Sequence, residues 1–396
     1  MLAIADKRTQ VCQSNKSPME PDLASVIRRN NELHILQIVS GQHINGALIY
    51  CKLLTDQLAK RGHRVSLLCR RDSWILSQTF EPGVELFESD LKRLPTTDLR
   101  QVAKWAREQN VDLFHTHMTR GHSFGVLLRM LTGIPVVATA HCTSFQLHWR
   151  FNDFVIANSE ATENFQRRVN WVSASKMKTI YCCSELDRFQ QVTPQRLLRA
   201  KRELGMRGDH LLLGIVGEVT SNKGHEYLFQ TLPRIMTHLP DLKLAVLGSY
   251  GRRKPFTLKL RKMLLDHNLQ NRVEWLGRRD NVEDFMTLFD LTVVPSIQES
   301  LGLVAIESLA AGTPVIAANT GGLPEIVRHE ETGLLFPPED SNALGDAIIR
   351  CLQDEPLRKR LAEAGRQHVL NRFSPTALVA QIEATYRQVC NRRRAA

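Results

Sequence analysis

The chain has 396 residues, of which 43% are hydrophobic and 23% are charged, so it is long enough for two globular domains with large cores. No apolar run approaches the roughly 20 residues that a membrane-spanning helix needs. The formal net charge of +11 is spread over both halves of the chain, which favours anionic partners such as nucleotides or an acidic lipid surface. No recognisable module predicts binding to nucleic acid.

The first 32 residues are polar and mixed, with Pro18 and Pro21 and without the apolar core of a secretory signal. We expect residues 1–32 to be a flexible N-terminal extension. Eight cysteines are scattered without a C-x-x-C pair, and the adjacent Cys182 and Cys183 disfavour an ordinary bridge between themselves. This pattern predicts free thiols in a reducing cytoplasm and no zinc site.

Strand-like and helix-like runs alternate through residues 33–192, which predicts a Rossmann-like domain with a parallel sheet covered by helices on both faces. An amphipathic helix is predicted from Ala47 to Lys60, and Gly62 ends it. The strands are predicted at residues 33–39, 64–69, 111–115, 135–138 and 154–157.

The alternation restarts near Leu211, so a second Rossmann-like domain is predicted over residues 193–374, with the boundary near residues 190–194. Its strands are predicted at residues 211–216, 242–247, 273–276, 291–294 and 314–317. Residues 375–396 contain a last predicted helix, from about Pro375 to Val389. Its apolar stripe consists of Leu378, Val379, Ile382, Tyr386 and Val389.

Ligands of open parallel sheets bind beyond the carboxyl ends of the strands, and several candidate residues fall there. Gly46 stands just before the first predicted helix and would let the backbone approach a phosphate closely. Lys223, in the run GEVTSNKG at residues 217–224, would supply a charge-assisted contact to an anion. His115 and His117 share one side of a strand end, and without an evident third ligand we interpret them as pocket lining.

The segment from Pro295 to Pro337 holds two carboxylates, Glu299 and Glu307, eight positions apart with Gly302 between them. If the helix starts near Leu303, Glu299 lies in the loop before it and Glu307 lies on its second turn. The free backbone N–H groups of the first helical turn then lie between the two carboxylates. This arrangement suits an anion at a helix N-terminus with hydroxyl groups on either side, and a nucleotide sugar has those parts.

The run PSIQESLGLVAIESLAAGTPVIA, at residues 295–317, resembles the donor-site signature of the family 4 glycosyltransferases. The resemblance extends from about Leu33 to the C-terminus. It implies the α/β GT-B fold, in which two Rossmann-like domains with parallel sheets face across a cleft and the final helix crosses back to the first domain. It also implies a retaining enzyme without cofactor that moves a sugar from a nucleotide-sugar donor to an acceptor hydroxyl.

The same resemblance assigns roles to individual residues. Glu299 would contact hydroxyls of the donor sugar, Glu307 the ribose of the nucleotide, and His141 the reacting face of the sugar. The implied catalytic residues are His141, Lys223 and Glu299. The implied donor-binding residues are Gly46, Gly217, Lys223, Gly224, Arg278, Glu299, Ser300, Gly302, Leu303, Val304 and Glu307. The acceptor-side candidates in the first domain are His117, Arg120 and His122.

Some positions depart from the family pattern. Glu218 occupies a slot where an arginine is usual, so Arg278 is the candidate for the second cation at the diphosphate. Asn45-Gly46 replaces a tandem glycine. No Asp-x-Asp pair is present, which predicts that activity needs no metal ion.

The acceptor is expected to be a sugar, glycan or lipid-linked glycan, as in cell-envelope polysaccharide or glycolipid synthesis. Arg392-Arg393-Arg394 is either a solvated tail or a contact to the anionic inner face of a membrane. Two alternatives stay open: a nucleotide-sugar epimerase or phosphorylase on the same scaffold, and a non-catalytic nucleotide-sugar-binding subunit, which Glu218 favours.

Overall fold

The structure is a computed structural model that describes residues 32–91, 96–206, 210–250 and 254–394. Apart from Glu32, the expected N-terminal extension lies outside these residues. Contacts within the chain define two compact units. Unit 1 contains the residues up to Asn158, Glu163–Ile180 and the residues from Pro375 onward, and unit 2 contains Ser159–Thr162 and Tyr181–Ser374.

The division between the units falls between Ile180 and Tyr181, whereas the sequence placed the domain boundary about a dozen residues later. The reason is local packing of the connecting segment. The Ser184 hydroxyl donates a hydrogen bond of 2.7 Å to Glu307, and the Arg188 guanidinium lies 3.7 Å from the Glu283 carboxylate. These contacts tie the segment to unit 2.

Seven parallel strands form the sheet of unit 1, in the order β3-β2-β1-β4-β5-β6-β7. They are β1 His34–Val39, β2 Arg64–Arg70, β3 Glu85–Ser89, β4 Leu113–His117, β5 Val136–Ala140, β6 Phe154–Ala157 and β7 Met177–Thr179. The helices between them are α1 Gly46–Lys60, α2 Thr96–Glu108, α3 Thr119–Thr132 and α4 Glu160–Arg168, the first residues of which belong to unit 2.

Helices cover both faces of this sheet, which explains why the residues of its central strands β1, β4 and β5 are all buried. All six residues of β1 are buried. Leu36 and Ile38 pack into the cluster that holds Phe114 and residues of α2 and α3. Val39 lies in the cluster on the other face, with Leu48 of α1. The sheet is therefore held by apolar burial on two sides.

Some predicted strand limits are wrong. β4 begins two residues later than expected and ends at His117, so both of its histidines lie inside the strand. β3 was not predicted because most of its side chains are only half-buried, and β7 because it has only three residues. The Rossmann-like class itself is confirmed by the all-parallel order.

Six parallel strands form the sheet of unit 2, in the order β10-β9-β8-β11-β12-β13. They are β8 Leu212–Val216, β9 Lys243–Leu247, β10 Val273–Gly277, β11 Leu291–Val294, β12 Val315–Ala318 and β13 Leu334–Phe336, the last of which was not predicted. The helices are α5 Asp187–Gln190, α6 Pro194–Glu203, α7 His225–His238, α8 Lys254–Asp266, α9 Val282–Met286, α10 Leu303–Ala310, α11 Leu323–Ile326, α12 Ser341–Gln353 and α13 Glu355–Arg372.

The last helix, α14 Pro375–Arg394, belongs to unit 1 and packs on α1. All five residues of its apolar stripe are buried. The Glu383 carboxylate accepts hydrogen bonds of 2.9 Å from both Arg61 and His63, which follow α1. The helix is thus fixed by an apolar stripe and by a largely buried ionic contact.

The described residues contain seven cysteines, and all of them are free thiols. Burial raises the pKa of Cys183 to about 12, so this thiol is not activated. Within the same part of the chain, none of the helices has the length and apolar character required to cross a membrane.

Candidate active site

The loop between β11 and α10 carries the first carboxylate of the predicted pair. Helix α10 begins at Leu303, which meets the condition set for the placement of the two carboxylates, and Gly302 stands before it with φ of +105°. A Cβ atom at Gly302 would come within 2.5 Å of a methyl group of Leu323. Only glycine combines this left-handed backbone with so close a neighbour. The loop containing Glu299 and Ser300 therefore reaches the start of the helix by a sharp turn.

Lys223 and Glu299 form an ion pair inside unit 2. The Lys223 ammonium lies 2.5 Å from Glu299 Oε2, and the side chains are 33% and 15% exposed. The Ser296 hydroxyl donates a further hydrogen bond of 3.1 Å to the same carboxylate oxygen. A cation and a carboxylate thus meet at the carboxyl ends of β8 and β11, where ligands of parallel sheets bind.

Backbone contacts lock the Lys223 loop onto the Glu299 loop. The Ile297 N–H donates to the Asn222 carbonyl at 2.9 Å, and the Asn222 amide donates to the Gln298 carbonyl at 3.1 Å. Gly224 has φ of +68°, and a Cβ atom there would lie 1.7 Å from the Pro295 carbonyl oxygen. The two loops therefore form one rigid piece.

The glycine pair after β12 holds the Glu299 loop from its other side. Gly321 has φ of +55°, and a Cβ atom there would lie 1.7 Å from the Glu299 carbonyl oxygen. The Gly322 N–H donates a hydrogen bond of 3.1 Å to that oxygen. The Ser159 hydroxyl donates to the Ser300 carbonyl at 2.5 Å. The backbone of Glu299 is therefore fixed by three separate parts of unit 2.

Glu307, on the second turn of α10, has a different environment. Its carboxylate accepts the hydrogen bond from Ser184. Burial raises the pKa of Glu307 above its ordinary value, while the charge of Arg188 and the Ser184 hydroxyl act in the opposite direction. The carboxylate is therefore desolvated and oriented, as a group that binds hydroxyls of a ligand must be.

The remaining donor-side candidates lie on the rims of these loops. Gly217 has φ of +145°, and its carbonyl oxygen would lie 1.7 Å from a Cβ atom at Gly248. The side chain of Glu218 is exposed. Arg278 is 45% exposed and pairs with Asp280 at 3.1 Å. Its contact in the described structure is thus to an acid of its own loop.

Histidines line the carboxyl ends of β4 and β5 in unit 1. His141 Nε2 lies 3.1 Å from Nδ1 of His117, and Nε2 of His117 lies 2.8 Å from Oε1 of Gln37. The ring of Tyr50 packs edge-on against both imidazoles, with centroids 5.8 and 5.4 Å apart. Burial lowers the pKa of His141 to about 3, so the ring is neutral at physiological pH.

His122 and Arg120 begin α3 but have opposite environments. The His122 ring is buried, contacts the Thr116 hydroxyl at 2.8 Å and packs on Trp149. Burial lowers the pKa of His122 well below its ordinary value. This position allows an effect on an acceptor only through neighbouring residues. Arg120 is exposed and accessible.

Gly46 is the first residue of α1, and Asn45 caps that helix by accepting a hydrogen bond of 3.1 Å from the Leu48 N–H. The asparagine thus has a capping role of its own and does not merely replace a glycine. No group of three or more metal-ligating side chains occurs among the residues that the structure describes.

Sequence reasoning missed three residues that orient the site: Ser184, Ser296 and Gln37. Ser296 lies in the signature itself, three residues before Glu299, which is a local signal for a loop hydrogen bond. Ser184 and Gln37 contact their partners across 123 and 80 positions, so no local pattern indicates them.

Two all-parallel Rossmann-like units, with sheets of seven and six strands, define the fold class of this protein as GT-B. Solved structures with this fold align with nearly the whole chain. A glycosyltransferase from Rickettsia africae has a TM-score of 0.80 with 20% identity, covering 91% of this chain and 99% of that one. Anabaena HepE in complex with UDP and glucose has a TM-score of 0.81 with 22% identity, covering 90% and 100%.

The chain belongs to glycosyltransferase family 4. Its residues 44–188 match the family model "Glycosyltransferase Family 4", and residues 199–368 match "Glycosyl transferases group 1". D-inositol 3-phosphate glycosyltransferase of Corynebacterium glutamicum is 30% identical over 301 residues, 69% of this chain and 72% of that protein. N-acetyl-alpha-D-glucosaminyl L-malate synthase of Bacillus anthracis is 27% identical over 372 residues, 87% and 94%.

Proposed function

We propose that this glycosyltransferase moves a glycosyl unit from a nucleotide sugar to an acceptor hydroxyl with retention of the anomeric configuration. The observation that supports the proposal best is the ion pair of Lys223 and Glu299 in front of α10. A diphosphate beside Lys223 would also meet the N–H groups that open α10, and the sugar would then meet Glu299. Anabaena HepE, which has the same fold, has been solved in complex with UDP and with UDP-glucose, and such a donor is consistent with the proposal.

The main catalytic effect would be stabilisation of the negative charge that develops on the departing diphosphate. Lys223 is positioned in advance, because Glu299 and the locked loops fix its ammonium group. Glu299 would accept hydrogen bonds from sugar hydroxyls, and Glu307 would accept them from the ribose diol. His141 would contact the reacting face of the sugar. We propose that no metal ion takes part, and that the acceptor attacks on the face from which the diphosphate leaves.

We propose an acceptor that is a glycan or a lipid-linked glycan of the cell envelope, and a protein that works in the cytoplasm at the inner face of the membrane. An exposed apolar patch of unit 1 supports this. Its members Phe145, Leu147, Phe151 and Trp171 are each more than half exposed, and the rings of Phe145 and Trp171 touch edge to face. The stretch between Asp112 and Asp153 contains no carboxylate but three arginines. Apolar side chains beside cations suit an anionic lipid surface.

A second acceptor class has support from the named relatives. L-malate and inositol 3-phosphate are small anionic molecules with hydroxyl groups, and they appear in the names of two of them. Exposed Arg120 at the start of α3 would suit such an acceptor. Transfer to a free anionic acceptor, without any lipid, would select this class over the first.

The proposal is tested by a transfer assay with a panel of nucleotide sugars, chosen by thermal shift, and by NMR of the anomeric proton of the first product formed. We expect Lys223→Met and Glu299→Gln each to lower kcat/KM by at least about 100-fold. The matched control is the Lys259–Glu226 pair of the same unit, which has the same separation of 2.5 Å. Lys259→Met and Glu226→Gln should leave activity unchanged.

Other outcomes would decide between the alternatives. Donor binding without transfer or hydrolysis would indicate the non-catalytic subunit that Glu218 favours. Conversion of the donor sugar without an acceptor would indicate an epimerase. An inverted anomeric centre in the first product would contradict retention.

The membrane contact has its own test by co-sedimentation with vesicles of anionic phospholipid. Leu147 and Leu258 are 63% and 65% exposed, and they lie in different units. Leu147→Ser should weaken binding to the vesicles several-fold, whereas Leu258→Ser should not. Equal binding by both variants would contradict the assignment of this patch.

A further inference from the structure

Three side chains of unit 1 form a continuous line of hydrogen bonds. Gln37 lies on β1, His117 ends β4, and His141 follows β5 directly. Gln37 and His117 are fully buried. The successive contacts are 2.8 Å from Gln37 Oε1 to His117 Nε2 and 3.1 Å from His117 Nδ1 to His141 Nε2. Adjacent parallel strands place these residues at one end of the sheet, so their order is set by the fold.

This line has only one consistent arrangement of protons for a given orientation of the glutamine. A carbonyl oxygen only accepts, so His117 Nε2 must carry a proton if it faces Oε1 of Gln37. A neutral imidazole has one protonated nitrogen, so Nδ1 of His117 then holds a lone pair. His141 must therefore donate from Nε2, and its lone pair is on Nδ1.

The imidazoles of His117 and His141 are both neutral, which is the condition for one protonated nitrogen in each ring. Burial lowers the pKa of His141 to about 3 and that of His117 well below its ordinary value, and repulsion among the clustered histidines adds to the effect on His117. The structure turns the Oε1 atom of Gln37 toward His117, and the Nε2 atom of the same amide has no hydrogen-bond partner among the described residues.

We propose that Gln37 and His117 are positioning residues that fix the tautomer of His141, with Nε2 protonated and Nδ1 as hydrogen-bond acceptor. This proposal rests on the proposed function in one respect: a sugar that contacts His141 would meet a ring whose Nε2 proton is already donated to His117. Turning the Gln37 amide over would reverse every donor in the line.

The direct test is long-range 1H–15N correlation NMR of the histidine rings in the full-length, 15N-histidine-labelled protein, with the His141 and His117 signals assigned from His141→Gln and His117→Asn. We expect both rings to be protonated at Nε2. A His141 ring protonated at Nδ1 would overturn the proposal. This readout needs no substrate, so it stands even if the protein proves to be a binding subunit.

Variants separate orientation from simple stability. Gln37→Glu keeps an acceptor at His117 and should preserve the tautomer, whereas Gln37→Met removes it and should give His141 a mixture of tautomers. In Gln37→Met we expect kcat/KM to fall by at least about 10-fold, while the Glu variant restores most of it. Gln166→Met is the matched control, because Gln166 is equally buried in unit 1 and accepts a hydrogen bond from Asn170.

The control should lose stability without any change in the His141 signal. Unchanged tautomers in Gln37→Met would overturn the positioning role. If His141 has the predicted tautomer but the protein transfers no sugar, the proposed function is contradicted and the positioning role stands. If the protein transfers sugar but His141 has the opposite tautomer, the positioning role is contradicted and the proposed function stands.

Discussion

Alanine at Gly321 should displace Glu299 without touching any side chain of the site. The added Cβ atom would lie 1.7 Å from the Glu299 carbonyl oxygen, far below the 3.0 Å under which real Cβ contacts are essentially never found. Backbone lies on both sides of this contact, so the loop must move by more than about 1 Å. The hydrogen bond from Gly322 and the alignment with Lys223 are then lost together.

The expected magnitude follows from a matched glycine. Gly205 has φ of +56°, against +55° at Gly321, but a Cβ atom there would meet nothing within 4 Å. Gly205→Ala should therefore lower the free energy of unfolding only by the strain of a left-handed alanine, about 1–2 kcal/mol. Gly321→Ala adds a broken hydrogen bond of about 1 kcal/mol and overpacking of about 1–3 kcal/mol. The two variants should thus differ by about 2–4 kcal/mol in the free energy of unfolding.

Urea unfolding and a binding titration with the nucleoside diphosphate that gives the largest thermal shift provide the two measurements. A displacement of about 1 Å at reacting groups typically costs about 100-fold, and we expect kcat/KM of Gly321→Ala to fall by that factor. Gly205→Ala should bind and react as the parent protein does. Equal stability and equal nucleotide affinity in the two variants would refute the view that Gly321 holds Glu299 in place.

Three further predictions concern the second carboxylate, pH and metal ions. Ser184→Ala removes the hydrogen bond that orients Glu307, so it should weaken binding of a ribonucleoside diphosphate about 10-fold. Binding of the matching deoxyribonucleoside diphosphate should weaken less. Equal losses of affinity for the two nucleotides would contradict a contact between Glu307 and the ribose. Burial lowers the pKa of His115 and His141 to about 3. As the pH falls below about 6.5, these two histidines become protonated in the unfolded chain but stay neutral in the folded protein. Each should therefore lower the free energy of unfolding, measured with urea, by about 1 kcal/mol between pH 7 and pH 5.5. A flat profile would contradict this. Added chelator should leave transfer activity intact, and its abolition would show that a metal ion is needed.

The sequence was most informative where the chemistry and the local backbone are encoded together. The sequence placed Glu299 in a loop and Glu307 on a second helical turn on the condition that a helix starts near Leu303, and α10 begins there. Both Gly302 and the apolar run after it are local signals. The alternation of strands and helices likewise predicted both parallel sheets, because strands that are covered by helices on both faces are rich in apolar residues.

The orientation of the site could not be predicted in the same way. The Lys223–Glu299 pair joins residues 76 positions apart, and the sequence alone suggested a diphosphate contact for the lysine without its partner. Gln37 shows no motif. The pairing of β1 with β4 places it opposite His115 and brings its Oε1 atom within 2.8 Å of Nε2 of His117. Parallel pairing of distant strands decides these contacts, and no local pattern encodes it.

Helix α14 has a consequence for the order in which the protein can be completed on the ribosome. Unit 1 contains the earliest part of the chain, but Tyr386, whose hydroxyl lies 2.6 Å from His115, is translated after the whole of unit 2. The nascent N-terminal sheet must therefore wait with the α1 surface uncovered and His63 without Glu383. Biogenesis of this enzyme should depend on protection of that surface by a chaperone, and synthesis should be most vulnerable to aggregation just before residue 375 emerges.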